Sequence, residues 1–414
     1  MKSVDSLIVG GSAAGTTAAE VIRSLKPESS ITIVTDENHE QYSRVLLPHY
    51  IRHKVTREQG FLKKPEWYQD KLIELIKGTK VTKLDSKGHK VTLSSGEEYQ
   101  YGKLLIAIGG YVVKLKVPGA DLTNILYMRT IEDADRIIEA ASKSKKAVIV
   151  GGGFIGLEFC SGFKMNGVEE VTVLVREPYY WEGKLDEESS KVLVNTLGKN
   201  GVTVLVNEEV EKFVGDGKVK SVVTKSGKTF EVDVVGVGIG IKSNLSWLEG
   251  SGIEINRAIV TNEYLETNLP DVYAAGDCAE FYDVTFDRKH IMGNWANATS
   301  QGSAVGKTMA GVKTVFETAS SYSINFFDGS CSFIGVTDDK FADEVISRGS
   351  VGGDKMTRIF VKTIDGSMRI VGATIINNPA EVSPLTSAVK GKVDIASSRE
   401  KLADPNFDLK NLIS

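Results

Sequence analysis

Cysteine is scarce in this chain: 414 residues hold three, Cys160, Cys278 and Cys331. None belongs to a C-x-x-C pair and none stands at metal-ligand spacing, which excludes a thiol redox motif, a zinc site and a disulfide scaffold. Thiols so few and so scattered point to a reducing compartment, the cytoplasm. Long apolar runs are missing as well, and no stretch reaches the ~18 residues that a membrane span needs. The N-terminus leads straight into a strand pattern without the charged and apolar regions of a signal peptide. A basic excess is also lacking. Lys and Arg total 50 against 54 Asp and Glu, a net charge of -4, which argues against a nucleic-acid binder and leaves room for a small basic patch facing an acidic protein. What is present is an ordinary globular composition, 41% hydrophobic and 25% charged. The length suits two or three domains, each with its own core.

The organising stretch is Leu7-Ile8-Val9-Gly10-Gly11-Ser12-Ala13-Ala14-Gly15. Three apolar residues read as a strand covered on both faces. Gly10 permits a sharp turn, and Gly15 lets the next helix lie close to the strand. Ser12, Ala13 and Ala14 are small and leave backbone N–H groups open to a pyrophosphate, which a helix N-terminus also attracts. Asp36 follows Gly15 by about the 20 residues expected of a carboxylate on ribose hydroxyls. A single turn of this kind is also consistent with a plain strand–turn–helix joint. It recurs, however: Ala147-Val148-Ile149-Val150-Gly151-Gly152-Gly153-Phe154-Ile155-Gly156 is a complete second fingerprint. Two such turns imply two dinucleotides held at once, an arrangement for passing electrons.

After the second strand, Ile31 to Val34, the chain reads Thr35-Asp36-Glu37 and then Tyr42-Ser43-Arg44-Val45-Leu46-Leu47-Pro48-His49. The acid followed by H-x-x-Y-x-R-x-x-L resembles the flavin-binding stretch of FAD-dependent ferredoxin and rubredoxin reductases. These lie within the pyridine nucleotide–disulfide oxidoreductase superfamily, beside NADH oxidase and nitrite reductase-like members. Val45 stands where the disulfide-reducing and oxidase branches carry a redox Cys, so thiol chemistry at the flavin is not expected. His49 occupies the place of a flavin-side Lys; it is either a flavin contact whose charge depends on pH or a partly exposed helix histidine. Arg44 suits a flavin or phosphate contact, with a surface salt bridge as the alternative.

The resemblance covers nearly the whole chain. It implies an α/β fold with two Rossmann-like dinucleotide-binding domains and a small α+β C-terminal domain. The FAD domain is split into 1–115 and 244–318; the NAD(P) domain spans 116–243 and the C-terminal interface domain 319–414. The implied FAD contacts are Gly10, Ser12, Ala13, Ala14, Gly15, Asp36, Glu37, Arg44, His49, Val81, Ile108, Gly109, Arg129, Gly276, Asp277 and Trp295. Ile108-Gly109 ends a buried strand where the superfamily has A-T-G. Arg129-Thr130-Ile131-Glu132-Asp133-Ala134 matches an R-T-x-x-D-A helix start, with Thr130 and Asp133 placed for a capping box. Thr267 to Ala279 is the most specific motif: Asp277 binds ribityl hydroxyls in relatives, Gly276 allows close approach, and the next helix aims its N-terminus at the flavin. Trp295, in Trp295-Ala296-Asn297-Ala298, lies by the flavin in relatives or else packs in the core.

For the nicotinamide nucleotide the resemblance implies Gly151, Gly153, Phe154, Ile155, Gly156, Glu158, Arg176 and Gly238. Glu158 matches the glutamate beside the nicotinamide; together with His49 it is the expected catalytic group. Arg176, where NAD-binding relatives place an acid, favours a 2′-phosphate and so NADPH. The retained third glycine favours NAD, and a solvated Arg176 stays open. The activity implied is hydride transfer from NAD(P)H to FAD, then electrons to a small carrier protein, rubredoxin or ferredoxin. Oxygen reduction to peroxide and a redox-sensing flavoprotein are the rivals, and a homodimer is a candidate assembly.

Overall fold

Leu7, Ile8 and Val9 end the strand Lys2–Val9 with almost no exposed surface. Ile8 points into one cluster with the helix Ala13–Leu25, while Leu7 and Val9 point into another on the opposite face. That alternation is what a strand covered by two layers requires. The computed structural model describes residues 2–413 and divides into two compact units. One is Met1–Leu47, Val55–Tyr111 and Ile241–Thr318; the other is Pro48–Lys54, Val112–Gly240 and Ala319–Ser414.

In the first unit the strand order is Ile73–Ile76, Ile31–Val34, Lys2–Val9, Glu98–Ile106, Lys90–Leu93, Val81–Asp85, with Val272–Ala274 paired to Glu98–Ile106. The strands around Lys2–Val9 are parallel, and the hairpin side is antiparallel. Two strands flank Lys2–Val9, and the chain leaves it by a helix, so a crevice opens at its C-terminal end. The helix begins at Ala13 because Ser12 takes the N-cap place and its carbonyl accepts from the Thr16 amide. The helix Trp295–Met309 packs beside Ala13–Leu25, at Gly302 so closely that a Cβ there would sit 2.4 Å from the Ala14 carbonyl oxygen.

The second unit repeats the plan. Its parallel sheet runs Val202–Leu205, Glu170–Leu174, Lys146–Val150, Val234–Val237, Ile125–Tyr127. A three-stranded antiparallel sheet spans Val210 to Glu231. The C-terminal segment forms a five-stranded antiparallel sheet, Ser321–Phe326, Gly329–Gly335, Ser367–Ile376, Lys355–Ile364, Glu344–Ser350, followed by the helix Val382–Lys390. Four of those strands are visible as patterns. Glu344–Ser350 is not, since this half-exposed edge strand has polar residues on both faces. The chain end carries a short 3-10 turn, Leu409–Leu412, where the sequence suggests a helix from Phe407.

Two further expectations are corrected. Pro48–Lys54, within the segment assigned to the FAD domain, packs in the second unit: Tyr50 Oη donates to Asp135 at 2.8 Å and Asn166 Nδ2 to the Ile51 carbonyl at 2.8 Å. Nor does a helix follow Asp277 directly. Gly276–Cys278 is one 3-10 turn that runs into the strand Ala279–Asp283 because Ala279 and Phe281 are drawn into the core; the next helix starts at Trp295.

The helix Ile131–Ala141 opens on a full capping box: Thr130 Oγ1 accepts from the Asp133 amide at 3.2 Å, and Asp133 Oδ2 accepts from the Thr130 amide at 2.8 Å. Thr130→Ala leaves the Asp133 amide without its side-chain partner, while Asp133 Oδ2 still accepts from the amide of residue 130, and urea denaturation is expected to show a loss of about 1 kcal/mol. An unchanged midpoint would contradict that reading.

Candidate functional site

Each fingerprint is built by a glycine in a conformation closed to other residues. Gly10 has φ 118° and Gly151 has φ 109°. A Cβ on Gly10 would meet the Ala107 carbonyl oxygen at 2.2 Å, and one on Gly151 the Gly238 carbonyl oxygen at 2.4 Å. Gly238 thus belongs to the second turn, where its amide also donates to the Val150 carbonyl at 2.9 Å. The helices then lie against the turns without intervening side chains, at Gly15 and Gly156. Ser12 and Gly153, the two N-cap residues, make no side-chain cap. Helices opened by Thr130, Asp186 and Asn294 are capped by those side chains. The first-turn amides at Ser12 to Gly15 and Gly153 to Gly156 therefore remain available, and a Cβ at Gly153 would meet nothing within 4 Å. Free donors, a helix N-terminus and clearance fit a pyrophosphate at both turns.

Around the first turn the structure gathers several of the expected residues. Gly276, with φ 82°, lies next to Ala14 and Ala298, and its amide donates to Gln301 Oε1 at 2.6 Å. Gln301 Nε2 and Asn297 Oδ1 are buried without a hydrogen-bond partner among the described residues. These are polar atoms that a polyhydroxylated ligand such as FAD can satisfy. Asp36 accepts from Tyr111 Oη at 2.6 Å. Glu37 accepts from Tyr42 Oη at 2.5 Å and pairs with Arg44. Burial opposes the Arg44 charge, but Tyr42, Glu37 and Asp277 outweigh it and hold its pKa above the ordinary value. Ile108 is half-buried, and the Gly109 carbonyl accepts from Ser243 Oγ at 2.7 Å. Val81 is buried at the start of its strand, near the end of Ile31–Val34, where the Thr79 amide meets the Thr35 carbonyl at 2.9 Å. Trp295 is half-buried in the first helical turn and packs on the core cluster.

The second unit holds the others. Phe154 and Ile155 open the helix Phe154–Met165; the Phe154 ring meets Trp181, Tyr322 and Phe333 edge-on or tilted. Glu158, one turn in, has a side chain 13% exposed, and Oε2 lies 3.0 Å from Arg52 Nη1. The contact is an ion pair without hydrogen-bond alignment, so Oε2 keeps an acceptor place that no described donor fills. Burial pushes the Glu158 carboxyl up and Arg52 and Lys54 pull it back, leaving it at about 7. Arg176 is exposed at the strand end, with Nε 2.6 Å from Glu177 Oε1. The Arg129 amide donates to Asp133 Oδ2 at 2.9 Å, part of the helix start. His49 lies on the short helix Leu47–Ile51, where burial, Arg52 and Lys54 lower its pKa. It is a neutral imidazole at neutral pH rather than a group that titrates there.

Sequence reading missed Arg52, Tyr111 and Gln301. Each reaches its partner across a long stretch of chain, and no local pattern marks such a meeting. Among the described residues there is no cluster of metal-binding side chains, and no helix is long and apolar enough to cross a membrane.

The profile of a family described as "Pyridine nucleotide-disulphide oxidoreductase" matches residues 4–302. The nitrite reductase [NAD(P)H] of Bacillus subtilis is 30% identical over 95% of this chain; the chain spans about half, 48%, of that protein's length. The NADH oxidase of Methanocaldococcus jannaschii is 32% identical over 75% of this chain and 71% of its own. Among solved structures, the ferredoxin reductase for the CYP199A2 system from Rhodopseudomonas palustris superposes with a TM-score of 0.90 at 27% identity, covering 99% of this chain and 100% of that one.

All three cysteines are free and fully buried, and burial raises each thiol, Cys278 to about 12. At about pH 8 a thiol-specific reagent should therefore find none in the native protein and three after denaturation. One thiol reacting within the mixing time would contradict this burial.

Proposed function

The chain belongs to the pyridine nucleotide-disulphide oxidoreductase family, and from that premise we propose that it is an FAD-dependent NAD(P)H oxidoreductase delivering electrons to a small carrier protein, a rubredoxin or ferredoxin. The observation that carries this reading is the absence of a thiol relay. Val45, 53% exposed, stands where disulfide-reducing relatives carry a redox Cys, and the three thiols are buried. The full-length likeness to a ferredoxin reductase supports the choice of acceptor.

What the two cofactors supply when bound is hydride transfer followed by donation of single electrons. The chain's own groups bind and orient. Amides of Ser12 to Gly15 hold the FAD pyrophosphate, with Asp36 and Glu37 for the adenosine side and Asp277 for the ribityl hydroxyls. Amides of Gly153 to Gly156 hold the nicotinamide nucleotide. The Glu158 carboxylate, whose side chain keeps 13% of its surface exposed, takes the carboxamide N–H and fixes which way the ring faces.

Anaerobic mixing with NADH or NADPH is expected to bleach the flavin, and added rubredoxin or ferredoxin to restore it with one-electron stoichiometry. Peroxide formation in air that no carrier suppresses would instead favour oxygen as acceptor, the reading that the NADH oxidase relative supports. Gly156→Ala separates the two nucleotide turns. Its methyl would lie 2.2 Å from the Gly151 carbonyl oxygen, so nicotinamide binding should weaken at least about tenfold while FAD is retained. Loss of FAD with unchanged nucleotide affinity would sink the assignment.

A further inference from the structure

We infer that Arg52 is the positioning residue of Glu158: anchored independently to the Asn325 carbonyl, its guanidinium sets both the direction and the charge of the carboxylate at the second fingerprint. The inference rests on the reading that Glu158 receives the nicotinamide carboxamide.

Arg52 follows the short helix Leu47–Ile51, far from Glu158 in sequence, and its side chain is only 4% exposed. Nη1 donates to the Asn325 carbonyl at 2.8 Å and to Ser161 Oγ at 3.3 Å, and lies 3.0 Å from Glu158 Oε2. Ser161 is three residues beyond Glu158 and so on the same helix face. Its hydroxyl turns back toward the Leu157 carbonyl at 3.1 Å, which leaves the oxygen lone pairs to the guanidinium. A backbone carbonyl and a tethered hydroxyl hold Arg52 in place whatever the charge of Glu158. The guanidinium stays protonated at any working pH, and a buried cation with no counterion is costly. Glu158 is that counterion.

Arg52 and Lys54 are the charges acting on Glu158, and His49, three residues before Arg52, is neutral at pH 7. Burial alone would keep the carboxyl protonated; the Arg52 charge brings its titration down to about 7. Protonation matters because it fills an acceptor place with a hydrogen, and a carboxamide N–H needs the acceptor. Nucleotide binding should therefore respond to pH through Glu158, with the midpoint set by Arg52.

The test titrates NAD+ into the FAD-loaded protein by calorimetry from about pH 6 to about pH 9, around the Glu158 midpoint. Wild type should bind more tightly as pH rises through about 7, and Glu158→Gln should show no such dependence. Removing a charge at this distance moves a carboxyl by about one to two units. Arg52→Met should thus bind about five- to fiftyfold more weakly at pH 7 and come within about twofold of wild type by pH 9. Arg52→Gln, which keeps a donor for Asn325 but drops the charge, should shift alike; Arg52→Lys should restore the wild-type midpoint.

A readout without nucleotide runs beside it. A carboxyl raised from 4.5 to about 7 contributes stability that is complete below 4.5 and lost as pH rises to about 7. Melting temperatures of the FAD-loaded protein should lose that slope in Glu158→Gln, and the fall should extend above pH 7 in Arg52→Met and Arg52→Gln. Wild-type midpoints in both charge-removing variants would overturn the inference while leaving Glu158 at the nucleotide. A Glu158→Gln protein with the wild-type binding profile would overturn the reading beneath it, and the melting slopes would then still decide whether Arg52 sets the Glu158 charge.

Discussion

Two helices rest directly on the turns that precede them, with no side chain between. A Cβ on Gly15 would lie 1.9 Å from the Gly10 carbonyl oxygen, and one on Gly156 would lie 2.2 Å from that of Gly151. Because the helix starts so close to the strand end, its first amides open at the C-terminal edge of the sheet. There the neighbouring strands diverge: Lys2–Val9 lies between Ile31–Val34 and Glu98–Ile106, and Lys146–Val150 between Glu170–Leu174 and Val234–Val237. A crevice at that point in the strand order, floored by free amides and a helix dipole, is a site for an anion before any side chain is considered. The neighbouring elements serve this contact. Gly276 and Gly302 keep the loop and the helix of the first unit near Ala14, and Gly238 does the same for the second turn.

Charge is handled differently in the two units. Beside the first turn, Glu37 with Tyr42 and Arg44 forms one short segment that neutralises itself. In the second unit, the buried pair Arg52–Glu158 joins residues from separate segments. Partially desolvated ion pairs add little net stability, because lost hydration offsets the attraction. Here the pair bears on one carboxylate: burial lifts Glu158 above 4.5, and Arg52 and Lys54 draw it back, to about 7. The absence of accessible sulfur fits the same plan. With Cys160, Cys278 and Cys331 packed as small apolar side chains, the chemistry is left to bound cofactors and to the polar groups that orient them.

Motifs confined to a dozen residues read correctly because their physics is local. A glycine turn, a capping box and a strand period depend on neighbours one to four places away, so Gly10 to Gly15, Gly151 to Gly156 and Thr130 with Asp133 can be recognised before folding. The edge strand Glu344–Ser350 escaped because one of its buried places is held by Arg348, so that burial alternates along Ile346–Gly349 while hydropathy does not. The run after Asp277 was misread because a helix and a buried strand are both compatible with short apolar stretches, and core packing of Ala279 and Phe281 decided between them.

By itself the sequence determined the two glycine turns, the parallel sheets that carry them and the lack of a redox thiol, since each follows from residue size, backbone freedom or plain absence. Tertiary structure alone decided that Pro48–Lys54 joins the second unit, that Arg52 meets Glu158, that Tyr111 holds Asp36 and that burial with Arg52 and Lys54 lowers the His49 pKa. The reason is physical. Burial and the approach of distant charges set those properties, and both depend on how the chain returns on itself rather than on the order of its neighbours.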